Sequence, residues 1–485
     1  MKIEPRYVAV QNAMSGVGFA QVGPISEASL DRGGEIRIPV ELAAGECRTF
    51  VALGDRSIDD LDDPLGVDPG VVHLNEGHAA LAVLERARSF NVGTAEAYRK
   101  FFVEQHGVTV LCGAPAVANA ILDAAATWDG PIPGRDRVRM VGEPVAAVAA
   151  ETPEIAQEAV DQIEVDYEEL PAVYDPEEAM REGAPHLHGE SNVFVHHHVR
   201  KGETARGFAE AEFVIERTFR TQFIEHSAIE PEAVLAEPAE HGGVRITGSV
   251  QNLFSSRRSV AAALALPLNR VQIVQATLGG SFGGKDEVMT ALCCRAALLA
   301  LRTGRPVKMV NSRESSMRES YKRHPYVLHY RWGAKRDGSI TAMEIRCIAD
   351  GGAYASMSPF VTWRSVVQAT GPYHCPHVAT DVYAVYTNNS YTGAMRGFGS
   401  PQVNVAIESM MDLLAAEVGL DPLEIRLRNG FVTGSVTATG QALTHEVSLK
   451  EVLHKAADAS DFLAKWAAPS ETGVPGKRRG IGMAC

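Results

Sequence analysis

The chain has 485 residues, 45% of them hydrophobic, which is enough to bury several cores and is typical of two to four domains. Its 46 basic side chains against 60 acidic ones leave a formal net charge of −14, which disfavours nucleic acid as a partner. Seven cysteines without a C-x-x-C pair predict neither a disulfide scaffold nor an iron–sulfur ligand set, and they favour a cytoplasmic setting. Without a long uninterrupted apolar run, we expect neither a signal peptide nor a membrane span.

The first segment, residues 1–132, mixes short alternating stretches with helical patterns and predicts an α/β or α+β unit of unassigned function. Two prolines and two glycines at 130–134 break the pattern and favour a domain boundary. The next domain, 133–215, has a compact β-α-β pattern. We expect an apolar strand, a helix with Thr152 as its N-cap, and a returning strand at 164–171.

Residues 216–476 alternate strand and helix patterns and predict an α+β fold. A glycine-rich turn at 279–285 precedes a segment, 286–302, that is apolar nearly all round and is therefore expected to be a buried helix. A further helix is expected over 400–419, with proline near its start and glycine at its end. The spacing of aspartate and glutamate at 421–424 is typical of a helix N-terminus.

The glycine-rich turn has the sequence GGSFGGK and stands between a predicted strand and a predicted helix. Unpaired backbone N–H groups at such a helix start favour an anionic or oxo ligand. The turn resembles a nucleotide-binding loop, but Asp286 stands where serine or threonine would hold magnesium, so nucleotide binding is disfavoured. The alternative is a turn that only packs the strand against the helix.

A second glycine-bracketed segment, MRGFGSPQ at 395–402, also precedes a predicted helix. Its Arg396 could hold an oxyanion in fork geometry, and its Phe398 could stack on a flat substrate. Gln251 adds an uncharged amide just before another predicted helix. Each of these residues, taken alone, could be an ordinary turn or cap residue.

In this order the motifs resemble those of the molybdenum hydroxylases, the family of xanthine dehydrogenase and aldehyde oxidase, over about 133–480. The matching segments are VGEPVAAV at 141–148, FIEHSAIEPE at 223–232, QN at 251–252, GGSFGGK at 279–285, KRHP at 322–325 and RGFGSPQ at 396–402. The resemblance implies a partial hammerhead-like α/β domain at 133–215 and the first molybdopterin-binding domain at 216–476. It also implies the start, at 477–485, of a second molybdopterin-binding domain that is otherwise missing.

The resemblance implies that a molybdopterin, either in its simple form or as the cytosine dinucleotide, holds the molybdenum. The metal is then expected to have no direct protein ligand. Gln251 and Arg396 are then the catalytic residues, with Gln251 donating a hydrogen bond to an oxo ligand. The residues expected to bind the cofactor are Gly280, Phe282, Gly283 and Arg396. Phe398 is expected to pack on the substrate.

Two further positions bear on the substrate. Asp286 aligns with a glutamate of purine-oxidising members, and Arg364 aligns with a substrate-binding arginine by its spacing of 32 residues before Arg396. An acid and a guanidinium suit an N-heterocycle of the purine, xanthine or nicotinate type. Alternatively, Asp286 only stabilises the N-terminus of the following helix, and Glu287 takes its role toward the substrate. The carbon monoxide dehydrogenase branch is disfavoured because TGAM at 392–395 has no cysteine.

The resemblance further implies an oxidoreductase active only in a complex, with water as the oxygen source. A second molybdopterin-binding chain is expected to bring the missing domain and its base glutamate. The [2Fe-2S] clusters and FAD are expected on an iron–sulfur subunit and an FAD subunit, since this sequence has neither clustered cysteines nor a dinucleotide fingerprint. The alternatives are an aldehyde oxidoreductase subunit and a truncated, noncatalytic remnant.

Three other features could be mistaken for sites. Consecutive histidines at 196–198 alternate between the faces of a strand and are expected to be a solvated strand end, not a metal site. Cys293 and Cys294 are expected to pack inside a buried helix. Glu225 and His226 could form an acid–base pair or a structural pair.

Overall fold

The computed structural model describes residues 72–75, 109–111 and 137–485, except 145, 164, 166 and 469–476. Only the backbone is described at 72–75 and 109–111. The unit predicted for residues 1–132 therefore lies almost wholly outside the described residues. Within the described part, no helix is both long enough and apolar enough to cross a membrane.

The strands, in chain order, are β1 (Val72–Asn75), β2 (Thr109–Leu111), β3 (Ala147–Ala150), β4 (Val193–Lys201), β5 (Phe213–Arg220), β6 (Ala233–Ala239), β7 (Gly243–Gly248), β8 (Val271–Gln275), β9 (Val307–Val310), β10 (Tyr326–Ala334), β11 (Ile340–Gly352) and β12 (His377–Tyr386). The helices are α1 (Pro153–Asp161), α2 (Pro176–Ala179), α3 (Thr204–Ala209), α4 (Leu253–Ala263), α5 (Glu287–Thr303), α6 (Arg313–Glu319), α7 (Ser358–Gln368), α8 (Ser400–Val418), α9 (Pro422–Asn429), α10 (Leu449–Ser460) and α11 (Phe462–Ala467).

A seven-stranded mixed sheet, in the order β2-β3-β1-β9-β6-β7-β8, forms one layer of the fold. Helix α5 packs on its strands β6 and β7 and on helix α4. Nearly every α5 side chain between Val288 and Ala300 is buried, as the apolar residues on all its faces predicted. This layer places the start of α5 beside the end of β8, where the glycine-rich turn lies.

A five-stranded sheet, in the order β4-β12-β11-β10-β5, forms the second layer. Its β11–β12 pair is parallel and its other pairs are antiparallel. Helices α7 and α8 pack together and cover it, and Trp332, Tyr330 and Tyr326 are almost fully buried in the core between them. The mixture of these sheets with helices confirms the α+β class.

The helix starts predicted after residues 400 and 421 are confirmed. Helix α8 has proline in its first turn and ends at Gly419 in a left-handed conformation. The carboxylate of Asp421 accepts hydrogen bonds from Leu423 N and Glu424 N, both of 2.9 Å, at the start of α9.

The β-α-β pattern is confirmed in part. Strand β3 and helix α1 are present, and Thr152 Oγ1 accepts from Ile155 N at 3.3 Å. The returning strand at 164–171 is wrong for its described residues, which form no strand. Just after this segment, Val173 N donates to Asn388 Oδ1 at 3.0 Å, so the chain there contacts the loop after β12 and not the edge of a sheet.

Candidate active site

The two glycine-rich segments are in direct contact. The first glycine loop, residues 279–285, joins β8 to α5, and the second glycine loop, residues 393–399, leads into α8. Arg396 N donates a 2.8 Å hydrogen bond to the carbonyl oxygen of Phe282. Gly283 has φ +104°, and a Cβ there would clash with the second loop's backbone, so only glycine allows this approach. The predicted residues Phe282, Gly283 and Arg396 thus lie together.

Two buried rings from outside the loops hold them in place. His226 Nε2 donates to the carbonyl oxygen of Ala394 at 2.7 Å, and a Cβ at Gly284 would lie 2.8 Å from the same ring. Tyr321 OH donates to the carbonyl oxygen of Gly283. Sequence reasoning missed Tyr321, whose only signal was its place directly before the KRHP segment.

Glu225 and His226 belong to this support. Glu225 Oε2 lies 2.7 Å from Lys322 Nζ and accepts from Ser320 Oγ at 2.9 Å. Burial opposes ionisation of Glu225, but hydrogen bonds from His226 and Lys322 outweigh it and lower its pKa to about 2. Such a carboxylate is a poor proton acceptor at neutral pH, which favours the structural pair over the acid–base pair.

Lys285, which ends the first glycine loop, is only 1% exposed. Its Nζ lies 2.8 Å from Glu230 Oε2, which also accepts from Gly279 N at the other end of the loop. Burial raises the pKa of Glu230, but the bond with Lys285 outweighs it and the pKa is lowered. The lysine is therefore committed to closing the loop and does not face a phosphate, in agreement with the argument against nucleotide binding.

Gln251 lies against the first glycine loop with an exposed side chain. Its backbone N donates to the carbonyl oxygen of Lys285 at 2.8 Å, and its Oε1 accepts from Ser281 Oγ. Within the described residues, Gln251 Nε2 has no acceptor and can donate to a ligand. Sequence reasoning missed Ser281, although it is part of the loop motif.

The two acidic residues at the start of α5 differ in their contacts. Asp286 occupies the N-cap position but makes no capping hydrogen bond, and burial raises its pKa despite a hydrogen bond with Asn252. The carboxylate of Glu287 accepts from Ser356 Oγ, and burial raises its pKa to about 8. Helix capping therefore does not account for Asp286, and Glu287 holds its proton at neutral pH.

Arg364 lies on α7, exposed, and forms no ion pair or hydrogen bond with any described residue, Asp286 and Glu287 included. The adjacent Ser365 donates from Oγ to the carbonyl oxygen of Gly399 at 3.2 Å. Because Gly399 ends the second glycine loop, α7 packs directly against that loop. The structure thus places the helix of Arg364 beside the site but does not pair the arginine with the acids.

The phenylalanines of the two loops have different surroundings. Phe282 is 49% exposed, whereas Phe398 is partly buried against a cluster that includes Val288, Tyr354 and Ala394. Both have positive φ, 58° and 50°, a conformation that costs energy for a residue with a side chain. The strain indicates that the surrounding structure, and not local preference, holds the backbone of both loops in these conformations.

The side chains of the histidines at 196–198 point alternately to the two faces of strand β4, as expected for consecutive strand residues. His196 bonds Asp381 at 2.8 Å and stacks on Tyr383 with 4.3 Å between ring centroids, while His197 lies 3.0 Å from the carbonyl oxygen of Pro359. Among the described residues no group of three or more metal-binding side chains is found.

Cys293 and Cys294 are fully buried in α5, as predicted.

The donors around the glycine loops fit a molybdenum–pterin group. Gln251 Nε2 and the exposed guanidinium of Arg396 are available, and Arg323 Nη1 is buried without a hydrogen-bond partner in the described part of the chain, while its Nη2 donates to the carbonyl oxygen of Arg396 at 2.8 Å. Amide and guanidinium groups donate to oxo and phosphate oxygens. These donors include no thiolate or imidazole for the metal, which suits a metal held through its pterin.

Two family models match the chain. The model described as "Molybdopterin cofactor-binding domain" matches residues 186–430. The model described as "Aldehyde oxidase and xanthine dehydrogenase, a/b hammerhead domain" matches residues 106–171, and so begins within the segment 1–132. The boundaries expected at 133, 216 and 477 stay predictions.

The chain is 43% identical over 321 residues to the nicotinate dehydrogenase large molybdopterin subunit of Eubacterium barkeri, covering 66% of this chain and 75% of that one. It is 40% identical over 301 residues to a probable xanthine dehydrogenase subunit of Bacillus subtilis, covering 62% and 40%. The solved aldehyde oxidoreductase of Desulfovibrio gigas superposes with a TM-score of 0.70 at 27% identity, covering 82% and 44%. The chain thus spans less than half of the second and third of these proteins.

Proposed function

Because the chain belongs to the molybdopterin-binding family of xanthine dehydrogenase and aldehyde oxidase, we propose that it is the catalytic subunit of a molybdenum hydroxylase that acts on an N-heterocycle. The observation that carries this proposal is the contact between the two glycine loops through Arg396 N and Phe282 O. It gathers the predicted cofactor residues around one backbone surface, with the Gln251 amide at its edge.

Arg396, Phe282 and the backbone of the first glycine loop would hold the molybdenum–pterin group, and Gln251 Nε2 would donate to an oxygen on the metal. When bound, that group supplies two-electron oxidation, with water as the source of the oxygen atom. The protein's own part is to preorganise donors and position the substrate. The buried side chains of His226 and Tyr321 hydrogen-bond the backbones of the two glycine loops and keep the loops together.

The substrate is proposed to be a nicotinate-, purine- or xanthine-type heterocycle. Arg364 is exposed beside the second glycine loop and unpaired among the described residues, and such a guanidinium suits a carboxylate or carbonyl oxygen. Asp286 makes no capping bond, and protonated Glu287 can donate as well as accept. Phe398 would pack on the ring. The 43% identical relative, which is named for nicotinate, supports the same class.

The proposed assembly contains a second molybdopterin-binding chain, an iron–sulfur subunit and an FAD subunit. The relatives from Eubacterium barkeri and Bacillus subtilis are both named as subunits of dehydrogenases. A neighbouring reading frame that encodes a second molybdopterin-binding chain would support this assembly. Failure of this chain to bind molybdenum in the presence of its partners would support the noncatalytic alternative.

Arg364→Met tests the substrate class. A heterocycle that loses its charged partner should lose about tenfold or more in kcat/KM, since a hydrogen bond to a charged group is worth roughly 1.5–3 kcal/mol. An aromatic aldehyde has no such group and should lose much less. The measurement compares nicotinate, xanthine and benzaldehyde on the complete enzyme, with molybdenum content determined for each variant.

Arg181→Met is the matched control, because Arg181 is exposed and pairs only with Glu178 among the described residues. It should leave all three substrates unaffected. Equal losses on heterocycles and aldehyde in Arg364→Met would mean that the arginine is structural. Faster turnover of benzaldehyde than of either heterocycle by the unaltered enzyme would favour the aldehyde oxidoreductase instead.

A further inference from the structure

The Gln251 side chain belongs to a closed ring of three hydrogen bonds. Gln251 N donates to the carbonyl oxygen of Lys285 at 2.8 Å, and Lys285 N donates to Ser281 Oγ at 3.1 Å. Ser281 Oγ then donates to Gln251 Oε1, which completes the ring. Lys285 is itself buried and anchored to Glu230, so the ring rests on a rigid base.

In the structure, the oxygen end of the Gln251 amide faces the serine hydroxyl. The backbone N–H of Lys285 can only donate, so Ser281 Oγ must accept there. The hydroxyl proton is directed at Gln251 Oε1, because that oxygen is the amide atom beside it and can only accept. This leaves Gln251 Nε2 on the opposite side of the amide, exposed and without an acceptor among the described residues.

We propose that Ser281 is a positioning residue that orients the Gln251 amide, so that Nε2 and not Oε1 faces an oxygen-bearing ligand of the site. The proposal rests on the proposed function, which makes Gln251 a donor toward the cofactor. Without the serine hydroxyl, the amide can rotate and present its carbonyl oxygen to another oxygen. Two lone-pair-bearing atoms then face each other, and the preorganised donor is lost.

Four variants of the complete enzyme test this: Ser281→Ala, Ser281→Thr, Gln251→Ala and the Ser281→Ala/Gln251→Ala double variant. We expect Ser281→Ala to lower kcat/KM with nicotinate about fivefold, which corresponds to about 1 kcal/mol, at unchanged molybdenum content. Ser281→Thr keeps the hydroxyl and should restore turnover to within about twofold. The electron paramagnetic resonance signal of Mo(V) should move in the same direction in Ser281→Ala and Gln251→Ala.

The double variant is decisive, because a residue that acts only through Gln251 has no effect once Gln251 is gone. We therefore expect it to match Gln251→Ala in turnover and in signal. An equal loss from Ser281→Ala with and without Gln251 would overturn the proposal and assign the serine to loop folding. Impaired Gln251→Ala beside normal Ser281→Ala would overturn the role of Ser281 alone. Normal turnover and signal in Gln251→Ala would overturn the proposed function of Gln251 as well.

Discussion

At the scale of single residues, two neighbours in the chain differ in their surroundings. Asp286 and Glu287 are consecutive, but Glu287 contacts Ser356 just before α7, whereas Asp286 interacts with Asn252 just before α4. Burial raises the pKa of both carboxyls, and the charge of Asp286 adds to the effect on Glu287. The start of α5 therefore carries two carboxyl groups that are harder to ionise than exposed ones.

The raised pKa of Glu287 predicts a pH-dependent stability. Its pKa is about 8 in the folded protein against 4.5 ordinarily, so between these values the folded state keeps a proton that the unfolded chain has lost. The free energy of unfolding should therefore fall as pH rises from about 5 to 8 and level off above 8. Glu287→Gln removes this slope and should gain roughly 1–4 kcal/mol relative to the unaltered enzyme over that range.

The measurement is thermal unfolding of the complete enzyme and of Glu287→Gln at several pH values between 5 and 9. Glutamine keeps an acceptor for Ser356, so the comparison isolates the charge of residue 287. Glu451→Gln, at an exposed site on α10 that pairs with Lys455, serves as the control for loss of a carboxylate. Parallel stability curves for all three proteins would contradict the raised pKa.

At the scale of elements, the site depends on two helix starts that lie close together. The first glycine loop runs into α5 and the second into α8, and the two loops approach each other only because glycine stands at position 283. His226 and Tyr321 add hydrogen bonds from separate segments to the same two loops. The geometry of the site is thus set by backbone approach as much as by side chains.

Gly283→Ala should force the two loops apart. The new methyl group would meet the second loop's backbone, which cannot move as a flexible side chain would, and the residue would be strained at φ +104°. We expect a loss of about 1–3 kcal/mol in stability and a marked fall in bound molybdenum, measured by metal analysis and thermal unfolding.

Gly434→Ala is the control that separates the backbone strain of a positive φ from the steric clash expected in Gly283→Ala. Gly434 has φ +91°, but a Cβ there would have nothing within 4 Å. This control should show some loss of stability and normal molybdenum content. If Gly283→Ala also keeps its molybdenum, the contact between the loops is not needed for cofactor binding.

At the scale of the whole molecule, the described cysteines are dispersed and mostly buried. Cys293, Cys294, Cys347 and Cys375 are buried, and Cys485 is partly exposed. Burial raises the pKa of each of these thiols, which disfavours the thiolate that iron requires. The described cysteines thus provide no candidate ligand set for iron, which supports the proposed iron–sulfur subunit.

The isolated chain should accordingly contain no stoichiometric iron and no flavin. The complete enzyme should show both, whereas this chain, produced alone and purified under native, oxygen-free conditions, should show neither. Metal analysis and visible absorption of both preparations provide the measurement. Stoichiometric iron that remains on this chain would contradict the prediction.

The family resemblance, the α+β class and the start of the helices at 287, 400 and 422 could all be predicted from the order of the residues. These features depend on local order: glycine spacing, a capping aspartate and an apolar pattern are all readable along one segment. The prediction of a returning strand at 164–171 is wrong for the described residues of that segment, because whether an extended segment joins a sheet depends on which sheet edge lies beside it. Three contacts are visible only in the folded chain: Lys285 closes its own loop, Tyr321 supports Gly283, and Ser281 contacts the Gln251 amide. Those contacts join residues far apart in sequence or choose between chemically similar partners, so they arise only when the packed layers bring the backbones together.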